Sequence, residues 1–190
     1  MNKIRTFMMR ATVGVFAAGA LAAGVPVAPT AGAQAAPDEV RTTFAAQTYR
    51  AGLTPAQAGE LQAEVDGYLA REEGSRQISA NRIAVPGGEL TVAAPGQGFA
   101  HDLASPAARS ALPAACGYGH LCLYRGGDVL DFFRCGTYNM PWTGDGTFNN
   151  NQTSGTVARF LNSNRTERWS SRAPQTGTAT WTQVYYVVPC

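Results

Sequence analysis

The chain contains a single lysine, Lys3, and only two histidines, His101 and His120. Histidine is the commonest general base and a common metal ligand, so both kinds of site have few candidates. Neither a Gly-x-Ser-x-Gly turn nor a His-Glu-x-x-His motif occurs, and these motifs mark common serine hydrolases and zinc proteases. We therefore expect no catalytic residue and no enzymatic activity.

The sequence also lacks an apolar run of the roughly 20 residues that a membrane-spanning helix requires. Its longest such run, residues 11–25, follows a basic start and precedes small-x-small sites at 31–33 and 33–35. This layout is typical of a secretory signal peptide. The sequence therefore predicts that residues 1–35 are removed and that the product is secreted to the extracellular space, without a membrane span.

Removal of the signal peptide changes the charge of the protein. The remaining chain has 12 arginines and 13 acidic residues, so its net charge is about −1 and not the +2 of the whole chain. Nucleic-acid binding requires a concentrated basic surface, because its affinity comes largely from contacts with phosphates. We expect no nucleic-acid partner.

Residues 36–112 are predicted to form a small α+β extension. A helix over 54–73 is indicated by Thr54 as N-cap, Pro55 in the first turn and Gln57 in a capping box. Two short apolar alternations around Pro-Gly-Gly predict a hairpin over 77–94. The stretch 95–112 is rich in Pro, Ala, Gly and Ser and is predicted to be a linker.

Residues 113–190 contain short aromatic and β-branched runs separated by turn residues, which is typical of an all-β sandwich or barrel. All four cysteines of the chain lie here, and an even number in an exported protein predicts two disulfides. Three pairings are possible. The one we favour joins Cys116 to Cys122 across a loop with two glycines, and Cys135 to the terminal Cys190.

The pattern CGYGHLCLY…FFRCGTYNMP…FNNNQTSGTVARF…C, over residues 116–190, resembles the secreted bacterial family of the Streptomyces metalloproteinase inhibitor. The resemblance implies a βγ-crystallin-like Greek-key sandwich with two disulfides. It also implies a monomeric, non-catalytic inhibitor of a secreted protease, most readily a metalloprotease. The family's corner motif is not clean after Tyr124, and its inhibitory loop cannot be aligned here.

The run of amide and hydroxyl side chains at 149–154 matches the calcium motif of βγ-crystallins. The resemblance implies a weak calcium site formed by Asn149, Asn150, Thr153 and Ser154, since Ca²⁺ binds oxygen ligands. No second copy of the motif is found to complete the shell. The alternative is that these side chains hydrogen-bond to neighbouring backbone and close a turn. No other cofactor is expected.

An inhibitor of this kind acts by presenting a rigid, substrate-like loop. Thermolysin-type proteases favour a large apolar residue after the cut, so the inhibitory loop is predicted near Met140, Trp142 and Phe148, with residues 170–180 as the competing loop. The alternative function is a non-catalytic extracellular binding or structural module. In that case the three tryptophans would form a carbohydrate platform, unless they pack in the core.

Overall fold

A computed structural model describes residues 37–105 and 115–190. The predicted signal peptide lies outside the described residues, as does the second half of the predicted linker. Two helices are present, α1 (Pro37–Arg50) and α2 (Pro55–Arg71). No helix among the described residues is long and apolar enough to cross a membrane.

Helix α2 begins with the predicted capping box. The Thr54 hydroxyl accepts from the Gln57 N–H, and the Gln57 side chain accepts from the Thr54 N–H. Its buried stripe consists of Leu61, Val65 and Tyr68. Helix α1 corrects the prediction of one helix in the extension: its sequence, PDEVRTTFAAQTYR, is rich in threonine and lacks a long apolar stripe.

Short strands make up most of the remaining structure. In the described ranges they are β1 Arg76–Gln77, β2 Arg82–Val85, β3 Gly88–Thr91, β4 His120–Arg125, β5 Asp128–Phe132, β6 Tyr138–Asn139, β7 Asp145–Asn151, β8 Val157–Leu161, β9 Glu167–Arg172, β10 Gln175–Thr180 and β11 Tyr186–Val188. They form two antiparallel sheets, in agreement with the predicted mostly β architecture.

The larger sheet has the order β1-β2-β3-β5-β4-β7-β10 and the smaller has β6-β11-β8-β9. The hairpin β2–β3 thus joins the same sheet as the C-terminal strands, with Leu90 of β3 opposite Leu130 of β5. Aromatic rings from both sheets meet in the core: Phe148 of the larger sheet lies 5.4 Å from Trp169 and 6.4 Å from Phe160 of the smaller.

Residues 95–105, the described part of the predicted linker, are bound to the hairpin. The Asn81 amide donates to the His101 carbonyl at 2.8 Å and accepts from the Leu103 N–H at 3.1 Å. The Arg82 guanidinium pairs with Asp102 at 2.8 Å. These contacts hold the segment in a defined path against β2.

A buried group of polar side chains, which we call the carboxylate network, connects α2 to the larger sheet. The Asp128 carboxylate accepts from the Tyr68 hydroxyl and from the Ala93 N–H, each at 2.8 Å. The Tyr68 oxygen in turn accepts from Trp142 Nε1 at 2.8 Å. Because Asp128 is only 5% exposed, burial raises the pKa of its carboxyl, and the two hydrogen bonds it accepts oppose that rise.

Both disulfides have the favoured pairing. Cys116 is bonded to Cys122 and Cys135 to Cys190, and no free cysteine is present. The first bridge closes a short loop before β4. The second fixes the C-terminal residue to the segment between β5 and β6.

Candidate functional site

Strand β10 is an open edge of the larger sheet. Among the strands that the structure describes, it has one hydrogen-bonded neighbour, β7, over six residue pairs from Gln175–Asn150 to Thr180–Asp145. Its sequence, QTGTAT, has no charged residue and no proline. An uncharged edge of this length, about 20 Å, has main-chain groups available to another chain.

The other sheet edges carry the features that block such pairing. Strands β1 and β6 are two residues long. Strand β9 contains Glu167, Arg168 and Arg172, and its pairing with β8 is interrupted by an irregularity at Phe160/Leu161. Short length, charge and bulges all disfavour the addition of a strand. Among the described edges, β10 is therefore the best suited to it.

The register of β10 shows which of its main-chain groups face outward. The Trp181 N–H donates to the Gly144 carbonyl at 2.6 Å, and this pair continues the β10–β7 register by one step. Hydrogen-bonded and non-hydrogen-bonded pairs alternate in an antiparallel ladder. Residues 176, 178 and 180 consequently direct their N–H and C=O groups away from β7. All three are exposed threonines.

The segment is fixed at both ends by hydrogen bonds. Before β10, the Ala173 N–H donates to the Thr156 carbonyl at 2.8 Å and the Ala173 carbonyl accepts from the Gly155 N–H at 2.9 Å. After β10, Trp181 is fully buried and its Nε1 donates to the Tyr124 carbonyl at 3.3 Å. The strand Gln175–Thr180 is thus held extended before any partner binds.

A shallow groove of about 750 Å³ lies alongside β10, between it and β9. Phe148 and Trp169 line it together with Arg168. Gly177 allows close packing at its base, because a Cβ there would lie 3.0 Å from Cε1 of Phe148. The groove therefore combines an aromatic base, one cationic side chain and an open strand edge.

The polar run at 149–154 forms a buried network of hydrogen bonds next to this site. Asn150, fully buried, donates to the Ser171 carbonyl at 2.9 Å. Gln152 donates to Asn150 Oδ1 at 2.9 Å and to the Pro189 carbonyl at 2.7 Å. This amide network joins β7 to β9 and to the C-terminus, and the turn after it provides the Gly155 and Thr156 contacts to Ala173.

The four side chains predicted to bind calcium do not all point in the same direction. Asn149 and Asn150 lie in β7, and neighbouring side chains of a strand point to opposite faces. Thr153 and Ser154 are exposed in the following turn. The one side-chain oxygen of Asn150 already accepts from Gln152. No cluster of three or more His, Cys, Asp or Glu residues suited to a metal ion occurs among the described residues.

The residues predicted for the inhibitory loop are core residues. Trp142 is 2% exposed and Phe148 is 6% exposed, and Met140 packs partly buried against the same core. The side chains of Trp142 and Phe148 are not presented on a surface loop, because Trp142 is hydrogen-bonded to Tyr68 and Phe148 packs in the inter-sheet aromatic cluster. The competing prediction of a loop over 170–180 is also corrected: these residues form the end of β9 and the whole of β10, with only residues 173 and 174 between the two strands.

The three tryptophans do not form a shared surface. Trp142 and Trp181 are buried. Trp169 is partly buried, stacks on Phe160 at 3.7 Å and borders the groove beside β10. One tryptophan, and not a platform of three, thus borders this groove.

His120, one of the two histidines of the chain, is paired with Asp131. Its Nδ1 lies 2.8 Å from Oδ1 and 2.9 Å from Oδ2 of Asp131, and its ring contacts Phe133 at 5.5 Å. Burial raises the pKa of the Asp131 carboxyl, and the His120 hydrogen bond opposes that rise. The pair connects β4 to β5 beside the Cys116–Cys122 bridge.

The open edge itself had no direct signal in the sequence. QTGTAT is a short, uncharged run with alternating threonines, which is a weak strand pattern. Its position at an edge depends on which strands pair, and that is decided by distant residues. A comparison of the chain with protein-family models, with curated proteins and with solved structures found no match.

Proposed function

We propose that the protein is a secreted inhibitor of peptidases that presents β10 as a rigid, substrate-like strand. The proposal retains the resemblance to the Streptomyces metalloproteinase inhibitor family and, with it, a βγ-crystallin-like Greek-key arrangement of residues 113–190. The observation that carries it is the six-residue, uncharged edge strand whose two ends are fixed by hydrogen bonds. A metallopeptidase is the proposed partner.

The mechanism is main-chain pairing with the edge of a peptidase cleft. An added strand gains affinity from main-chain hydrogen bonds and specificity from alternate side chains. Because β10 is already extended, little conformational entropy is lost on binding. The exposed threonines 176, 178 and 180 face the partner with their outward N–H and C=O groups.

The first experiment is an inhibition titration of the secreted chain, lacking residues 1–35, against thermolysin, subtilisin and trypsin. We expect stoichiometric loss of peptide hydrolysis for at least one enzyme, most readily thermolysin. Mass spectra taken during the titration report whether the chain stays intact. Flat titrations for all three enzymes, with the chain folded throughout, would reject the inhibitor proposal.

A pair of variants at one position tests the use of the edge. Thr178→Pro removes an outward N–H without removing a hydrogen bond to β7, and proline is tolerated on edge strands. Thr178→Val keeps the N–H and removes the hydroxyl. We expect Thr178→Pro to raise the inhibition constant about tenfold or more, and Thr178→Val to leave it nearly unchanged. Equal inhibition by both variants would place the contact elsewhere.

The alternative function is carbohydrate binding by a non-catalytic extracellular module. The specific observation in its favour is Trp169, which borders the groove next to the β10 threonines. In that case Thr178→Val and Trp169→Ala would weaken binding to a polysaccharide, while peptidase titrations stay flat. Binding to insoluble glucan and chitin, measured by depletion from solution, separates the two functions.

A further inference from the structure

A second cavity lies on another part of the molecule, at the C-terminal end of α2. Its volume is about 310 Å³, and it is enclosed by the residues after α2, the β2–β3 turn, β5 and β6. Leu90, Leu130 and Phe132 line its deep end. Pockets for small ligands begin at about 300 Å³, so the cavity suits a small molecule with an apolar body.

The wall formed by Tyr138 is firmly positioned. Its ring stacks on Phe132 with a centroid distance of 5.3 Å and an interplanar angle of 11°. Its hydroxyl donates to the Cys135 carbonyl at 2.7 Å, next to the disulfide to Cys190. Gly87 leaves room for the ring, since a Cβ there would overlap it. An aromatic wall is therefore present without any rearrangement.

Negative charge is concentrated at one side of the cavity. Glu72 and Glu73 line it, and neither forms a salt bridge with another described residue. The negative end of the α2 dipole adds to their potential. Arg71, the last residue of α2, lies over the Tyr68 ring at 5.0 Å. Glu72 is partly buried, and this burial raises the pKa of its carboxyl, while its hydrogen bond with Asn139 and the charge of Arg71 oppose the rise.

We propose that this cavity binds a small organic cation, with an ammonium or amidinium head at Glu72 and an apolar or aromatic body between Tyr138 and Leu130. The apolar deep end selects the body, and the Glu72 and Glu73 carboxylates, which form no salt bridge with another described residue, select the positive head. An aromatic body suits the cavity because the side chains of Tyr138 and Phe132 both line it. This site is separate from the β10 edge, so inhibition of peptidases and binding here can be tested independently.

The test is a titration with phenethylammonium, followed by NMR of the Tyr138 and Phe132 ring signals. The controls are 2-phenylethanol, which has the same body without the charge, and 3-phenylpropionate, which has the opposite charge. We expect phenethylammonium to bind about tenfold more tightly than the alcohol, as a charge-assisted hydrogen bond implies, and the anion not to bind. Equal binding of cation and alcohol, or no shift of these signals with the cation, would overturn the proposal.

Glu72→Gln removes the charge and keeps a side-chain acceptor for Asn139, and Glu60→Gln is the matched control on the exposed face of α2. We expect an affinity loss of about tenfold for the first variant and none for the second. In the unmutated protein, bound cation also lowers the pKa of Glu72, which carboxyl NMR measures without any substitution. An unchanged pKa at saturation, or equal affinities of both variants, would contradict the assigned head position.

Discussion

The two buried polar networks perform similar tasks with different chemistry. The carboxylate network holds α2 and Trp142 to the larger sheet through Asp128, a charged group taken out of water. The amide network joins β7, β9 and the C-terminus through Asn150 and Gln152, which are neutral. The carboxylate network contains a titrating group, Asp128, so its contribution to stability depends on pH, and its Tyr68–Asp128 hydrogen bond connects α2 to the larger sheet. The amide network contains no titrating group. It lies beside the Cys135–Cys190 disulfide, so the C-terminus is fixed both by hydrogen bonds and by a covalent bridge.

The largest expected effect comes from removing the disulfide beside the amide network. Replacing Cys135 and Cys190 by alanine removes a bridge between residues that are 55 positions apart in the sequence. The loop-entropy relation predicts a loss of about 4 kcal/mol in the free energy of unfolding. We expect unfolding at lower urea, with the region around Pro189 opening first. Amide hydrogen exchange checks this. If exchange near α2 rises as much as exchange near the C-terminus, the two networks are not independent.

Asp128→Ala removes the acceptor of two buried donors, Tyr68 and Ala93. We expect a loss of about 3 kcal/mol, because hydrogen bonds to a charged group are strong and both donors are left unpaired. Asp145→Ala, at an exposed position of β7, is the matched control and changes little. Urea unfolding of both variants measures the difference. A loss below that of the control would show that Asp128 does not hold α2.

These effects indicate which parts of the structure were open to sequence analysis. Helix α2 was predicted because its capping residues and its apolar stripe are local. The disulfides followed from cysteine count and loop size, although the pairing remained one of three. The register between β3 and β5 was not predicted, because Leu90 and Leu130 are 40 residues apart in sequence and their pairing depends on the whole sheet. The partners of Asn150 and Asp128 were missed for the same reason.

Asn150→Ala tests the amide network directly. It leaves the Ser171 carbonyl and one Gln152 donor bond unsatisfied, and we expect a loss of about 2 kcal/mol. Thr153→Ala, in the exposed turn that follows, serves as control. If the amide network also supports β10, Asn150→Ala raises the inhibition constant more than Thr153→Ala does. Equal stability of the two variants in urea would show that the amide bonds contribute little.

The pH dependence of stability separates the two networks by a smaller effect. Since burial raises the pKa of Asp128, the folded protein binds more protons than the unfolded chain between the ordinary and the raised value. The contribution of this group to stability is therefore present at low pH and is lost as pH rises through the folded pKa. We expect the unmutated protein to gain stability relative to Asp128→Asn as pH falls from 7 toward about 4. The stability difference between the unmutated protein and Asn150→Ala should stay constant over the same range. If the stability-versus-pH curves of the unmutated protein and Asp128→Asn are parallel, Asp128 does not titrate in this pH range.

The smallest expected effect concerns calcium. Asn150 would have to give up its bond from Gln152 to become a ligand, so we expect millimolar Ca²⁺ to change the melting temperature no more than Mg²⁺ does. Differential scanning fluorimetry compares the two ions. A selective rise with Ca²⁺ that Ser154→Ala abolishes would instead support the calcium site implied by the family resemblance.

The position of both disulfides within residues 116–190 has a consequence for proteolysis of the chain. A single cut between residues 105 and 115 would leave two fragments with no covalent link. The two fragments would then be held together by non-covalent contacts alone, among them the β3–β5 ladder and the hydrogen bonds that Asp128 accepts from Tyr68 and Ala93. Such a nicked protein would come apart in urea without any reductant, and would expose a new strand edge along β5.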